Sequence, residues 1–420
     1  MRCAMVKGVF FWGLAGGIAP AADFYVDAIH GSDTSGNGSA ASPWQTITFA
    51  LQQGPSAGDT LHVLPGTYDT ALGETFPLNL PAGLTVEGAG PSVTVLDGDN
   101  TNDVVKLASN TTLRALTVRE SSHGWWNGGV VHWSPGSNIL VERVVFTHNE
   151  RGLHLWNGHS SVTIRDCVFV ENGNDALSCF ASTAISVLGC TFANNLKGMI
   201  FDASSGEVRG CIVTGSGNAG IQNSTANPSI LTLSNNLVFG NAIDYDNVAP
   251  GPNSLSANPL YANPATGDLH IAPISPAVNA GFAAPALGPS DIDGDPRVVG
   301  ASPDIGADER PTPDFVEHGE PRLGFVVTFD FFGAPSSPFV FLASPAAGNV
   351  PTPFGALLLN PGSLFVLFAG SLSPSGVSLV QVLAPSDPVF VDATIYLQEF
   401  GQATGGALAL STMRSLTLQP

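Results

Sequence analysis

A polar side chain returns at nearly fixed intervals down the middle of this chain: Asn149, Asn172, Asn195, Ser216 and Asn241, at steps of 23, 23, 21 and 25 residues. Each closes an apolar strand, in VERVVFTHN, IRDCVFVEN, VLGCTFANN, VRGCIVTGS and LSNNLVFGN, and the alignment puts Val144, Cys167, Cys190, Cys211 and Asn236 in one register. Such a period is too short for a helix pair with its connection and long enough for a coil of three short strands. The expected object is an all-β parallel β-helix. Its five polar positions are read as outward-turning, with amides bonded along the coil axis and backbones tolerant of the left-handed turn conformation.

Residues 1–21 carry Arg2 and Lys7, an apolar run from Gly8 to Ile18, and Ala19-Pro20-Ala21 in small-x-small form. They read as a signal peptide with its cleavage site. The run is too short to anchor in a bilayer, and Cys3 precedes it, which argues against a lipoprotein. The expected location is extracellular or at the cell surface. Without the leader, 12 basic side chains face 34 acidic ones, a formal charge of −22. That balance repels nucleic acid and anionic membranes. Four cysteines remain, and Cys167, Cys190 and Cys211 share one inward column. Stacked buried thiols are the plain reading, since free cysteine behaves as a small hydrophobe.

From Phe24 the sequence runs through a strand, a Gly/Ser loop, a short amphipathic helix around Thr46 to Gln53 and the strand Thr60 to Leu64. This resembles the N-terminal cap of secreted right-handed β-helix proteins, in which a helix covers the open end of the core. Coils follow with LTVEGAG, VTVLDG, VVKLAS and LRALTV. Then NPLYANPATGDLHIAPISPAVNAGF and DIDGDPRVVGASPDIGADE, the latter spanning Asp291 to Glu309, resemble the closing segment of bacterial β-helix proteins of the pectate-lyase-like superfamily. That resemblance implies the fold and no single reaction, because the superfamily holds lyases, hydrolases, epimerases, adhesins and silent members. The chain divides into 1–21, leader; 22–83, cap and first strands; 84–309, right-handed β-helix with closing segment; and 311–420. This last part holds 12 of the 24 Phe and no Lys, in short strands broken by Pro and Gly. A small antiparallel β-sandwich is expected there, resembling C-terminal modules of secreted bacterial proteins. Leu364 to Leu383 is apolar, but Ser-Pro-Ser-Gly interrupts it, so no membrane span is expected.

Chemistry should sit where the repeat is violated. Between Leu116 and Val144 the step is 28, and the surplus falls in SSHGWWNGG, residues 121–129. Five of the nine His and four of the six Trp lie within 123–159. Trp125, Trp126, Trp133 and Trp156, with His123, are expected to bind substrate. Trp133 and Trp156 should face outward and stack on neighbouring coils, as flat aromatic faces suit sugar rings. The plain alternative is an aromatic ladder that only steadies the coil. Arg151, His154, Asp175 and Lys197 share that face. A uronate lyase needs a base, for which Lys197 or His154 would serve, and a cation to neutralise the carboxylate, for which Arg151 would serve. Against this stands an ordinary solvated ion cluster of Arg151, Asp175 and Lys197. A glycosidase needs two facing carboxyl groups, but Glu150 faces Gly173 and Glu171 lies between His148 and Asn194. The lyase is therefore preferred to the hydrolase.

Asp291, Asp293 and Asp295 in DIDGD are spaced like oxygen ligands of a calcium loop, without the glutamate at the twelfth position. No cofactor is required on this reading, and Ca2+ is an option. The expectation is a secreted β-helix protein that binds extracellular polysaccharide, with cleavage as a further step. The alternative is a catalytically silent surface or matrix protein whose C-terminal module makes the contacts.

Overall fold

The computed structural model describes residues 21–420 apart from 125, 273, 283–286, 299–301, 311–312, 319–320, 335, 375, 403–407 and 412. Residues 1–20, which carry most of the expected leader, therefore lie outside the described residues, as does Trp125.

Residues 23–246 wind into a parallel coil with three strand ladders. Two merge in the long strands Thr112–Arg119 and Ser137–Thr147, so one continuous sheet holds 15 strands. The third ladder is a separate eight-stranded sheet running from Leu78–Asn79 to Ile243–Asp246. Val144 pairs with Leu116. The 28-residue step is thus absorbed between Arg119 and Val130, where the chain leaves the ladder.

Inside, side chains repeat with the coil. Phe146, Phe169 and Phe192 stack with ring centroids 4.5 and 4.6 Å apart. Cys167, Cys190 and Cys211 are free, buried thiols beside them, and burial pushes Cys190 and Cys211 well above the usual thiol range.

The polar column turns the other way from the sequence expectation. Asn149, Asn172, Asn195 and Ser216 are buried. Asn172 Oδ1 accepts the Asn149 backbone N–H at 3.1 Å, and Asn195 Oδ1 accepts that of Asn172 at 3.0 Å. Their amide nitrogens donate to the carbonyls of Phe146 and Phe169. The left-handed residue is the one before each: His148, Glu171, Asn194, Gly215 and Gly240, with φ between 54° and 69°. A single positive-φ residue bends the strand end, and the amide that follows is thereby aimed inward, where backbone groups of adjacent coils and the next amide in the column satisfy it: Asn149 Nδ2 donates to Asn172 Oδ1 at 3.2 Å and Asn172 Nδ2 to Asn195 Oδ1 at 2.9 Å. Ser216 is too short to continue the series, and its hydroxyl has no partner among the described residues.

At the N-terminal end, helix Ile47–Gln52 buries Ile47 and Ala50. Thr46 caps it, and buried Glu74 accepts the N–H groups of Ile47 and Thr48. The described part of the closing segment lies along the side of the coil, where Gly306 N–H donates to the Gly210 carbonyl and Ala307 N–H to Thr191 Oγ1. Arg297 is driven through this seam and bonds Asp166 and Glu309 at 2.8 and 2.9 Å.

Residues 314–417 form antiparallel sheets. Strands Asp314–His318, Val326–Phe332 and Val377–Leu383 make one sheet, and Pro338–Ser344, Phe365–Ser371, Thr394–Gln402, Leu408–Leu410 and Arg414–Thr417 another. They meet in a phenylalanine core: Phe331 stacks on Phe339 at 4.5 Å and Phe329 meets Phe341 at 5.0 Å. Among the described residues no helix is long and apolar enough to cross a membrane.

Candidate functional site

The site is built on the outer face of the eight-stranded sheet, across strands Val130–His132, Leu153–Leu155, Asp175–Phe180 and Lys197–Asp202. Leu153, Leu155, Leu177, Cys179, Met199 and Phe201 point into the core. Strand alternation therefore turns His154, Trp156, Ser178, Phe180 and Ile200 outward. The register sets His154 between Val131 and Ser178, and Ser178 beside Ile200.

The aromatic rings do not form the expected direct stack of Trp133 on Trp156. They join through His154, which lies 5.1 Å from Trp133, 5.8 Å from Trp156 and 5.7 Å from Phe180 by ring centroid. Trp156 in turn packs on Phe180 at 4.8 Å, and Trp126 reaches over from the inserted loop to meet Trp156 edge-on at 4.9 Å. His154 thus faces out of the coil and is still only 1% exposed. Its Nδ1 sits 2.6 Å from Ser178 Oγ, and its Nε2 has no partner among the described residues. Burial, reinforced by the Arg151 charge, pushes the imidazole down to about 3. His132 is pushed to about 4 by burial and by His159 beside it. Both rings are neutral at pH 7.

Beside the aromatic roof, three charges occupy three successive coils. Asp175 pairs in register with Lys197. Its carboxylate accepts from Arg151 Nε at 3.2 Å and lies 3.7 Å from Lys197 Nζ. The carboxylate thus stands between the two cations, as in the ion cluster of Arg151, Asp175 and Lys197 weighed from the sequence. Glu150 accepts from the Asn174 amide at 3.3 Å and lies 3.7 Å from His123, which is 70% exposed. Together Trp126, Trp156, Phe180 and Ile200 with Glu150, Arg151, Asn174, Asp175 and Lys197 wall an open cavity of about 420 Å³.

Five expected residues meet here: Trp126, Trp156, Arg151, Asp175 and Lys197. His154 lies under the roof, Trp133 packs behind it near Asp103, and His123 stands at the rim. Phe180 and Ile200 were missed. Their signal was the inward Cys179 and Phe201, whose neighbours must face out.

The acidic turn is arranged differently from a calcium loop. Asp291 Oδ1 accepts the N–H groups of Asp293, Gly294 and Asp295, and Oδ2 that of Glu309. Asp293 reaches His270 at 2.8 Å, and Asp295 is exposed.

Residues 104–256 match a family model described as a right handed beta helix region. No curated protein matches the chain in sequence. Similar solved structures include the pectate lyase Pel9A, at 14% identity and a TM-score of 0.43 over 70% of this chain and 98% of that one. A rhamnogalacturonan lyase aligns at 13% identity and 0.42 over 53% of this chain and 69% of its own. The enzymatically active domain of bacteriophage CBA120 tailspike protein 2 aligns at 12% identity and 0.36, over 89% and 74%. The parallel ladders and the family match together identify the coil of this chain as a right-handed β-helix, followed by an antiparallel β module.

Proposed function

We propose that the outer face of the eight-stranded sheet binds a polysaccharide outside the cell. The observation that carries this reading is the cavity itself, in which indole rings stand beside a bridged cation–carboxylate–cation row. Its volume of about 420 Å³ falls in the range of small-ligand sites, roughly 300–1,000 Å³. Trp126 and Trp156 offer flat faces to sugar rings. Glu150, Asn174, Asp175, Arg151 and Lys197 supply the hydrogen-bonding groups that fix a hydroxylated or carboxylated ring. Export of the chain belongs to the same reading.

Binding is better supported than elimination. A lyase base must be unprotonated and reach the substrate. His154 is neutral but roofed by three aromatic rings, and the Lys197 ammonium is held beside Asp175. A second reading, glycoside hydrolysis, gains from one observation: Glu150 and Asp175 stand in the walls of one cavity.

The test is affinity-gel retardation on a panel of neutral and uronate polysaccharides, with reducing-sugar release measured alongside. Trp156→Ala should weaken binding by about 2 kcal/mol, roughly thirtyfold, as loss of an aromatic anchor does. Circular dichroism confirms that the variant is folded. Unchanged retardation in folded Trp156→Ala and Trp126→Ala would move the contacts off this face and toward residues 311–420. Sugar release abolished by Glu150→Gln would establish the hydrolase.

A further inference from the structure

We propose that His270, Asp293 and Asp308 form a binding site for a divalent transition-metal ion of the zinc type, at the seam between the closing segment and the coil. The three come from separate pieces of chain: His270 from strand Asp268–Ile271, Asp293 from the DIDGD turn and Asp308 from PDIGADE. One donor atom from each lies within 4.8 Å of the others. His270 Nδ1 is 2.5 Å from Asp268 Oδ1, and its Nε2 is 2.8 Å from Asp293 Oδ2. Both ring nitrogens face a carboxylate, so in this structure the imidazole donates to both; an ion would displace the Nε2 proton, while Asp268 keeps the Nδ1–H and holds the ring in the ligating tautomer, the arrangement that metal-ligating histidines ordinarily have. Asp268 is thus a positioning residue and His270 a ligand.

The donor set chooses the ion. Calcium and magnesium take oxygen ligands, whereas imidazole with carboxylates suits zinc. The Asp291 carboxylate, which a calcium loop would need, is already taken up by four backbone N–H groups. Bonds of about 2.0–2.1 Å in a tetrahedron set donors roughly 3.3 Å apart. His270 and Asp293 would part by about 0.5 Å and the widest pair close by about 1.5 Å, with His270 and Asp293, which are half exposed, moving toward the less exposed Asp308. Asp308 is steadied by the Ile271 N–H at 3.2 Å. Three protein ligands leave the fourth position open, and the same three residues wall a cavity of about 290 Å³ with Ser92 and Thr117.

The experiment uses the full chain, stripped with chelator and dialysed, then titrated with zinc chloride or calcium chloride by calorimetry while melting is followed separately. One equivalent of zinc should bind and raise the melting temperature. His270→Ala should weaken zinc binding at least tenfold and cancel the rise, and Asp293→Asn should do the same. Asp268→Asn should weaken it by about 10–100-fold through the lost tautomer control. Both substituted ligands are half exposed, so the variants keep the fold. Equal zinc affinity in His270→Ala and wild type, or no rise in wild-type melting with zinc, overturns the proposal. So does a rise with calcium that His270→Ala leaves intact.

Discussion

Two arginine–carboxylate clusters grip the coil from different sides, and they share their chemistry but not their surroundings. Arg297 is 2% exposed, with Asp166 and Glu309 at 1%. Its remaining donors reach the carbonyls of Asp304 and Gly306. No ligand can enter there. Arg151 and Lys197 are 12% and 21% exposed around Asp175, and one side of the row opens into the aromatic cavity. A sealed cluster contributes when its parts stay together, since removing one ion strands the others without water. An open cluster adds little stability and can trade a protein partner for a ligand. Residue type alone therefore does not separate a clamp from a site; access does.

The comparison can be broken at its strongest point first. Arg297→Ala should destabilise by about 3–5 kcal/mol, because the buried carboxylates of Asp166 and Glu309 lose their cation. Urea unfolding measures it, and a loss below about 1 kcal/mol would mean the seam is not a clamp. Acid sharpens the open side. His154 titrates near 3 in the folded chain and near 6.5 when unfolded. Below about pH 6.5 the unfolded state therefore binds more protons, and stability falls as pH drops toward 3. His154→Gln should flatten the stability profile between pH 4 and 6 by up to about 1.4 kcal/mol per pH unit. A profile that keeps its slope would show the ring to be solvated. The smallest effect belongs to Asp175→Asn: Asp175 is itself 4% exposed, but the amide keeps its volume and still accepts from Arg151, and the two cations border the open cavity, so stability should change by about 1 kcal/mol while retardation by polysaccharide alters. A cost near that of Arg297→Ala would make the two clusters alike.

Much of the coil was legible because its information is periodic. Val144 opposite Leu116, the inward thiols and the outward Trp156 all follow from step and parity. Parity cannot say whether an outward residue is wet. His154 satisfies the pattern and is dry, because Trp133, Trp156 and Phe180 close over it from three coils. Nor does period choose which of two adjacent corner residues takes positive φ. The sequence reading put that conformation on the amides themselves, but His148 and Glu171 carry it. Finally, Asp291 to Asp295 reads as a run of ligands only while backbone donors are left out of account. Once the turn forms, three consecutive N–H groups point at Asp291, and its carboxylate is occupied from within. Partners for Arg297 were illegible for another reason: Asp166 lies 131 residues away, on a coil with no marked composition.

That separation has a kinetic meaning. Strand pairing along the coil joins residues roughly one repeat apart, so turns can be added one after another, each closing a short loop, and can be lost from an end in the same order. The Arg297 seam closes a loop several times longer and so forms after the turns that it spans. Once shut, it ties late chain to early coil, and the turns between Asp166 and Gly210 can no longer peel away singly. Local fraying there becomes a collective event, because the Arg297 contacts and the Gly306 and Ala307 bonds must open before any one of those turns can leave.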